Sequence, residues 1–222
     1  MVSFAIIAEG ITDQVVIESI VRGFYRGLGY EEDVFFNMLQ PLRDATDLSR
    51  QAEGCFGGWE QVLEHCGLTE NLMEALDFNE YLIIHLDSDL CQHESIDINM
   101  SSPVEALVSS LRNLVIGRLG EDFYRDCGER VIFAVAVHST ECWLLSLHTK
   151  SAAEVGRVNS CYDLLSSILR RSKKSLHKNY ESYKLLSAGF KRYRNITAAR
   201  QASPSLALFL DSLPTNLDGL DG

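Results

Sequence analysis

Residues 2–13 of the chain read VSFAIIAEGITD. The first seven, Val2 to Ala8, form an apolar run of strand length that stops at Glu9, which is typical of a buried parallel strand. Thr12 offers a helix N-cap, and Asp13 is a favourable acid for a first turn. Apolar residues then recur at helical spacing, at Val16, Ile20 and Phe24. The stretch therefore predicts a strand, a tight turn and a helix in succession.

Three further apolar runs extend this unit into an α/β fold. Val34 to Leu39 follows a glycine-containing turn and completes a βαβ unit, which is right-handed by default. Tyr81 to Leu86 runs straight into Asp87, and Val131 to Val137 leads into a helix that carries Glu141. Strands that alternate with helices predict a mainly parallel, four-stranded sheet flanked by helices.

The chain is expected to change in organisation near residue 150. Residues 1–150 carry the strand signals and are predicted to form the α/β core, with a loop indicated by Gly54, Gly57 and Gly58. Residues 151–222 are interpreted as a helical C-terminal extension that packs on this core. The tail from Asn216 onward is expected to fray.

The composition is that of an ordinary globular protein, with 46% hydrophobic and 23% charged residues in a chain of 222. No apolar run approaches the roughly 20 residues that cross a bilayer, and the first residues lack the features of a signal peptide. These observations predict a cytoplasmic protein without a membrane partner. The sequence leaves the oligomeric state open.

The charge is distributed unevenly. A net charge of −11 argues against a polyanionic partner, because phosphate contacts supply most of the affinity for nucleic acid. However, half of the 20 basic residues lie in the basic segment, residues 170–200, with a single acid. This segment predicts nucleic-acid binding, although a solvated helical face would give the same pattern. The predicted contacts are Arg170, Arg171, Lys173, Lys174, Lys178, Lys184, Lys191 and Arg192.

The six cysteines are scattered and include no C-x-x-C pair. This pattern indicates neither a zinc ribbon nor a disulfide framework. We therefore expect reduced cysteines, most of them in the core.

Acidic residues follow three of the four predicted strands. Glu9 ends the first strand, Asp87 and Asp89 end the third, and Glu141 comes after the fourth. Ligands of parallel sheets gather at the carboxyl ends of the strands, so these side chains are expected to meet in one cleft. Carboxylates with open coordination positions suit Mg²⁺ or Mn²⁺. An isolated Asp-x-Asp is also common in turns and helix caps.

The motifs themselves carry a family resemblance. Residues 8–13, AEGITD, resemble the E-G-x-(S/T)-(D/E) opening of the Toprim fold, and Asp87-Ser88-Asp89 resembles its second motif. The resemblance implies that Glu9, Asp87 and Asp89 bind metal and that Glu9 also acts as a general acid or base. Toprim domains occur in topoisomerases, primases, recombination proteins and the overcoming-lysogenization-defect (OLD) nucleases.

The chain is most similar to the OLD-type branch and to short bacterial Toprim proteins. Their features are matched by residues 134–145, AVAVHSTECWLL, and by the Ser203-Pro204-Ser205-Leu206 segment. This similarity implies a nuclease of DNA or RNA, tRNA included, that acts as an effector in bacterial anti-phage defence. Because no G-x-x-x-x-G-K-(S/T) loop is present, an ABC-type or OLD-like ATPase would be a separate partner.

Other candidate residues have two readings each. Asp13 is a further metal ligand or only an acid that stabilises the helix start, and Glu141 is a ligand or a first-turn acid. His138 either positions a water or a phosphate or is structural, and the structural role is the one expected. Lysines of the basic segment are candidates to stabilise charge on a reacting phosphate, and Lys178 is counted among the catalytic residues. The tyrosines within the segment suit base stacking or helix packing equally, at Tyr180, Tyr183 and Tyr193.

The sequence thus predicts a metal-dependent nuclease. The alternative is a catalytically weak regulatory subunit that binds nucleic acid or an ATPase, which the acidity of the body favours. A phosphatase that uses the first aspartate of Asp-x-Asp as nucleophile is disfavoured, because such a motif normally follows the first strand.

Overall fold

The structure is a computed structural model that describes residues 1–30, 34–42 and 58–215. The predicted loop glycines Gly54 and Gly57 and the tail from Asn216 lie outside these ranges.

Within these ranges, four strands form one sheet in which every pairing is parallel, in the order β2-β1-β3-β4. The strands are β1 (Val2–Ile7), β2 (Val34–Gln40), β3 (Tyr81–Asp87) and β4 (Val131–Ala136). The predicted α/β fold with a four-stranded parallel sheet is therefore confirmed, and each predicted strand agrees with the observed one to within a residue or two.

Helices flank the sheet on both sides. Those before β4 are α1 (Ile11–Leu28), α2 (Trp59–Cys66), α3 (Thr69–Phe78), α4 (Val104–Leu119) and α5 (Glu121–Cys127). Those after β4 are α6 (Thr140–His148), α7 (Ala152–Val155), α8 (Cys161–Arg171), α9 (Tyr180–Ser187), α10 (Tyr193–Ala202) and α11 (Pro204–Asp211). Short 3-10 turns cover Ser88–Gln92, Gly128–Arg130 and Ala188–Lys191. In the described ranges no helix combines the length and the apolar character needed to span a membrane.

The apolar strands are covered on both faces, as a parallel sheet requires. On one face, Ala5 and Ile7 of β1 belong to an apolar cluster with α2, α3, α4 and α5. On the other face, Phe4 and Ile6 pack with α1, α6 and the C-terminal helices. The candidate site described below lies at the end of this second face.

The described C-terminal helices are part of that second layer. Gly23 of α1 lies so close to the chain at Phe190 that an added Cβ would stand 1.8 Å from the Phe190 carbonyl oxygen. Trp143 of α6 stacks on Phe209 of α11 with ring centroids 5.9 Å apart. The helical extension therefore packs closely on the α/β core, while its division from the core as a domain stays a prediction.

Two local expectations are wrong. Helix α1 begins at Ile11 with Gly10 as its N-cap, so Thr12 lies inside the first turn and caps nothing. Cys142 and Cys161 form a disulfide, with Cα atoms 5.0 Å apart, whereas reduced cysteines were expected. The first turns of α6 and α8 pack against each other and bring the two thiols together across 19 residues, a proximity that spacing along the chain does not reveal.

Candidate metal centre

The predicted acids converge at the carboxyl end of the sheet. Each comes from a different piece of backbone: the end of β1, the first turn of α1, the end of β3 and its 3-10 turn, and the first turn of α6. Together they line a cavity of about 300 Å³, and Lys178 and Tyr162 line the same cavity. The acids are Glu9, Asp13, Asp87, Asp89 and Glu141.

Hydrogen bonds join the strand ends that line this cavity. The backbone N–H of Asp87 donates to Glu9 Oε1 at 2.7 Å, which joins the end of β3 to the end of β1. The N–H of Gly58 donates to the Glu9 carbonyl at 2.8 Å. Parallel pairing of β1 with β3 thus places the first motif beside the second, as the sequence predicted.

The loop between β4 and α6 is held against the Asp-x-Asp segment. The His138 N–H donates to Ser88 Oγ at 2.7 Å, and the Asp89 N–H donates to the His138 carbonyl at 3.2 Å. His138 adopts a left-handed backbone with φ of 64°. This conformation turns the chain from β4 into α6, so that Ser139 and Glu141 line the cavity.

A buried polar network lies at the base of the site. Thr140 Oγ1 donates to Asp13 Oδ1 at 2.6 Å and lies 3.2 Å from Asp87 Oδ1. His85, which is fully buried, places Nε2 3.3 Å from Thr140 Oγ1 and 3.4 Å from Asp87 Oδ1. Asp13, His85 and Asp87 each offer a ligand atom within 4.8 Å of the others, which is compact enough to hold a metal ion.

Burial and mutual repulsion disfavour the charged form of four carboxyl groups, those of Glu9, Asp13, Asp87 and Asp89. Burial, followed by the charge of Asp87, raises the pKa of Glu9 to about 9. Burial, followed by the neighbouring carboxylates, raises the pKa of Asp87 well above its usual range. Burial also raises the pKa values of Asp13 and Asp89, while the positive charge of Lys178 opposes both shifts. Such a cluster of oxygen donors fits a divalent cation, whose charge would relieve the repulsion.

Glu141 is anchored from the C-terminal extension. The hydroxyl of Tyr183 on α9 donates to Glu141 Oε1, and both residues are buried. Burial, followed by the Glu141 carboxylate, raises the pKa of Tyr183, so this hydroxyl stays a donor. Tyr183 therefore packs within the protein and does not stack on a base, whereas Tyr193 is 46% exposed.

Lys178 belongs to the basic segment and lines the cavity beside the acids. Among the described residues that line this cavity, it is the one lysine or arginine. Its ammonium also lies 5.0 Å from the ring centre of Tyr162. Lys173 and Lys174 line a separate groove beside Leu185. The other predicted nucleic-acid contacts are exposed and do not line the cavity: Arg170, Arg171, Lys184, Lys191 and Arg192. Of these, Arg171 forms an ion pair with Glu154 at 3.5 Å.

Sequence reasoning missed three residues of the network. His85 precedes Asp87 by two positions, and because side chains alternate along a strand, that spacing could have placed both on one face. Thr140 and Tyr183 gave no comparable signal, because their roles depend on how α6 and α9 pack.

Comparisons with protein-family models, with curated proteins and with solved structures found no match for this chain. The Toprim resemblance therefore rests on the motifs of residues 8–13 and 87–89.

Proposed function

We propose that this chain is a Toprim-type, metal-dependent nuclease that hydrolyses phosphodiester bonds of DNA or RNA. The convergence of five carboxylates and one lysine on a single solvent-accessible cavity carries the proposal. A structural ion pair would need neither so many acids nor a cavity beside them. The motif resemblance and the position at the carboxyl end of a parallel sheet support the same reading.

The donor set fits Mg²⁺ or Mn²⁺. Oxygen ligands would come from Glu9, Asp13, Asp87, Asp89 and Glu141. When bound, the cation supplies Lewis-acid stabilisation of charge that develops on a reacting phosphoryl group. Lys178 lines the same cavity and would neutralise charge on a phosphate oxygen of the substrate.

The basic segment supplies the positive charge that would hold the substrate. The exposed lysines and arginines of the basic segment attract a phosphate backbone, whereas the acidic body repels it. Nucleic acid would therefore bind on the side of α8, α9 and α10, next to Lys178. A separate ATPase partner and a setting in anti-phage defence remain part of the proposal through the OLD resemblance alone.

The first test is cleavage of plasmid DNA, single-stranded DNA and total RNA with Mg²⁺ or Mn²⁺, with and without a chelator. Glu9→Ala and Asp87→Ala are each expected to lower cleavage by at least about 10²-fold, since each removes a ligand of the cation. Asp122→Ala, an exposed acid of α5, is the matched control and should cleave like the wild type.

Full cleavage by either site variant, or in excess chelator, would remove the assignment of a metal-dependent, Toprim-type site. The competing function is a regulatory subunit that holds metal and nucleic acid without cleaving. The net charge of −11 favours that alternative. Metal and nucleic-acid binding without turnover on any of the three substrates would establish it.

A further inference from the structure

The buried imidazole of His85 is not accounted for by an all-carboxylate magnesium site. Its side chain is fully buried on β3, directly below Asp87. Its Nδ1 atom has no hydrogen-bond partner within the described ranges. The polar contacts that the structure gives it lie on the Nε2 side, at 3.3 Å to Thr140 and 3.4 Å to Asp87.

Both contacts are longer than the roughly 2.7–3.2 Å of a well-formed hydrogen bond to nitrogen. A buried polar group with such incomplete pairing calls for an explanation, and an ion is one of the usual ones. Two further buried polar atoms, on residues that line the cavity, have no partner in the described part of the chain: Ser139 Oγ and His138 Nδ1.

We infer that His85 is a nitrogen ligand of the metal centre, together with Asp13 and Asp87, and that the resident ion is a first-row transition ion. This inference rests on the proposed function, whose metal site it refines. The three ligand atoms already lie within 4.8 Å of one another. Thr140 holds the Asp13 carboxylate in place through its 2.6 Å hydrogen bond.

The chemistry of the ligand atoms determines which cation the site prefers. Mg²⁺ and Ca²⁺ are hard ions that bind oxygen, whereas imidazole nitrogen suits the first-row transition ions. One imidazole beside two carboxylates therefore favours Mn²⁺, Fe²⁺, Co²⁺ or Zn²⁺ over Mg²⁺.

The test uses Mn²⁺ as a paramagnetic probe of the whole chain, with electron spin echo envelope modulation as the readout. Protein prepared with natural histidine and protein prepared with ¹⁵N-labelled histidine are compared at less than one equivalent of Mn²⁺. We expect modulation from a directly bound imidazole nitrogen that changes on labelling. This comparison needs no substitution, so it holds even if variants at the buried position fail to fold.

Two variants show which histidine supplies the nitrogen that is bound to Mn²⁺. His85→Gln should abolish the histidine modulation, and His138→Gln, the other histidine beside the cavity, should keep it. By equilibrium dialysis, wild type should bind Mn²⁺ more tightly than Mg²⁺. His85→Gln should weaken Mn²⁺ binding by about 10- to 100-fold or more, the loss usual for groups that support a metal, and should leave Mg²⁺ binding nearly unchanged.

Bound Mn²⁺ without histidine modulation would overturn the inference and leave the nuclease proposal standing, with His85 reduced to a hydrogen-bonding partner of Asp87. Modulation that disappears in His138→Gln instead would overturn it as well. Failure to bind Mn²⁺ at all would remove the metal centre, and with it the proposed function.

Discussion

At the scale of single residues, the contact between Tyr183 and Glu141 joins the C-terminal extension to the site. We expect Tyr183→Phe to lower the free energy of unfolding by about 1–3 kcal/mol, because it leaves a buried carboxylate oxygen without its donor. Metal affinity should change as well, since Glu141 loses the group that orients it. Urea unfolding in chelator and metal titration measure the two effects.

Tyr193→Phe is the matched control, because Tyr193 lies on the same extension but is half exposed. It should leave both quantities as they are. Wild-type stability and metal affinity in Tyr183→Phe would show that α9 does not hold Glu141 in place.

At the scale of elements, the basic segment is either a surface that binds nucleic acid or a surface that only contacts solvent, and the salt dependence of binding distinguishes the two. Each phosphate that it neutralises should add about 0.7 to 0.9 to the slope of log affinity against log salt. Replacing Lys173, Lys174 and Lys178 with Gln should flatten this slope and weaken binding of unrelated sequences about equally, because phosphate contacts do not read bases. The measurement is a salt titration with short fluorescent DNA and RNA in Ca²⁺.

A control variant removes the same number of charges from exposed positions outside the segment, at Arg118, Arg125 and Lys150. If the segment binds the backbone, the control should keep the steeper slope of the wild type. Equal slopes in all three proteins would assign the basic segment to solvent or to a protein partner, and the regulatory-subunit alternative would then lead.

At the scale of the whole molecule, the clustered acids make stability depend on pH. Glu9 has a pKa of about 9 in the folded protein against 4.5 ordinarily, so the folded state holds a proton that the unfolded state releases. The contribution of this proton to the free energy of unfolding is therefore complete below about pH 4.5 and is lost as the pH rises towards 9. The loss is up to about 1.4 kcal/mol per pH unit for each such group.

Denaturant unfolding in chelator at several pH values checks this sign. Glu9→Gln, which cannot ionise, should show a shallower loss, and a saturating divalent cation should offset the loss in the wild type. Stability that increases between pH 5 and 9 in chelator would contradict the burial of charge that the site implies.

Much of the fold could be predicted because local patterns of apolar and polar residues determine its strands and helices. Apolar runs such as Val2 to Ala8 specify buried strands, and parallel pairing then brings strand ends together wherever the strands lie in the chain. Glu9, Asp87 and Glu141 were predicted to meet for this reason. The start of α1 was misplaced because Gly10, in extended backbone, serves as N-cap ahead of Thr12.

The sequence by itself determined the α/β class, the strand positions and the convergence of acids, since these follow from periodicity and from the geometry of parallel sheets. Only the tertiary structure decided that Tyr183 anchors Glu141, that Lys178 among the basic residues faces the cavity and that Cys142 bonds Cys161. The physical reason is that these contacts depend on how α6, α8 and α9 pack against one another, and helical periodicity indicates which face is buried without indicating its neighbour.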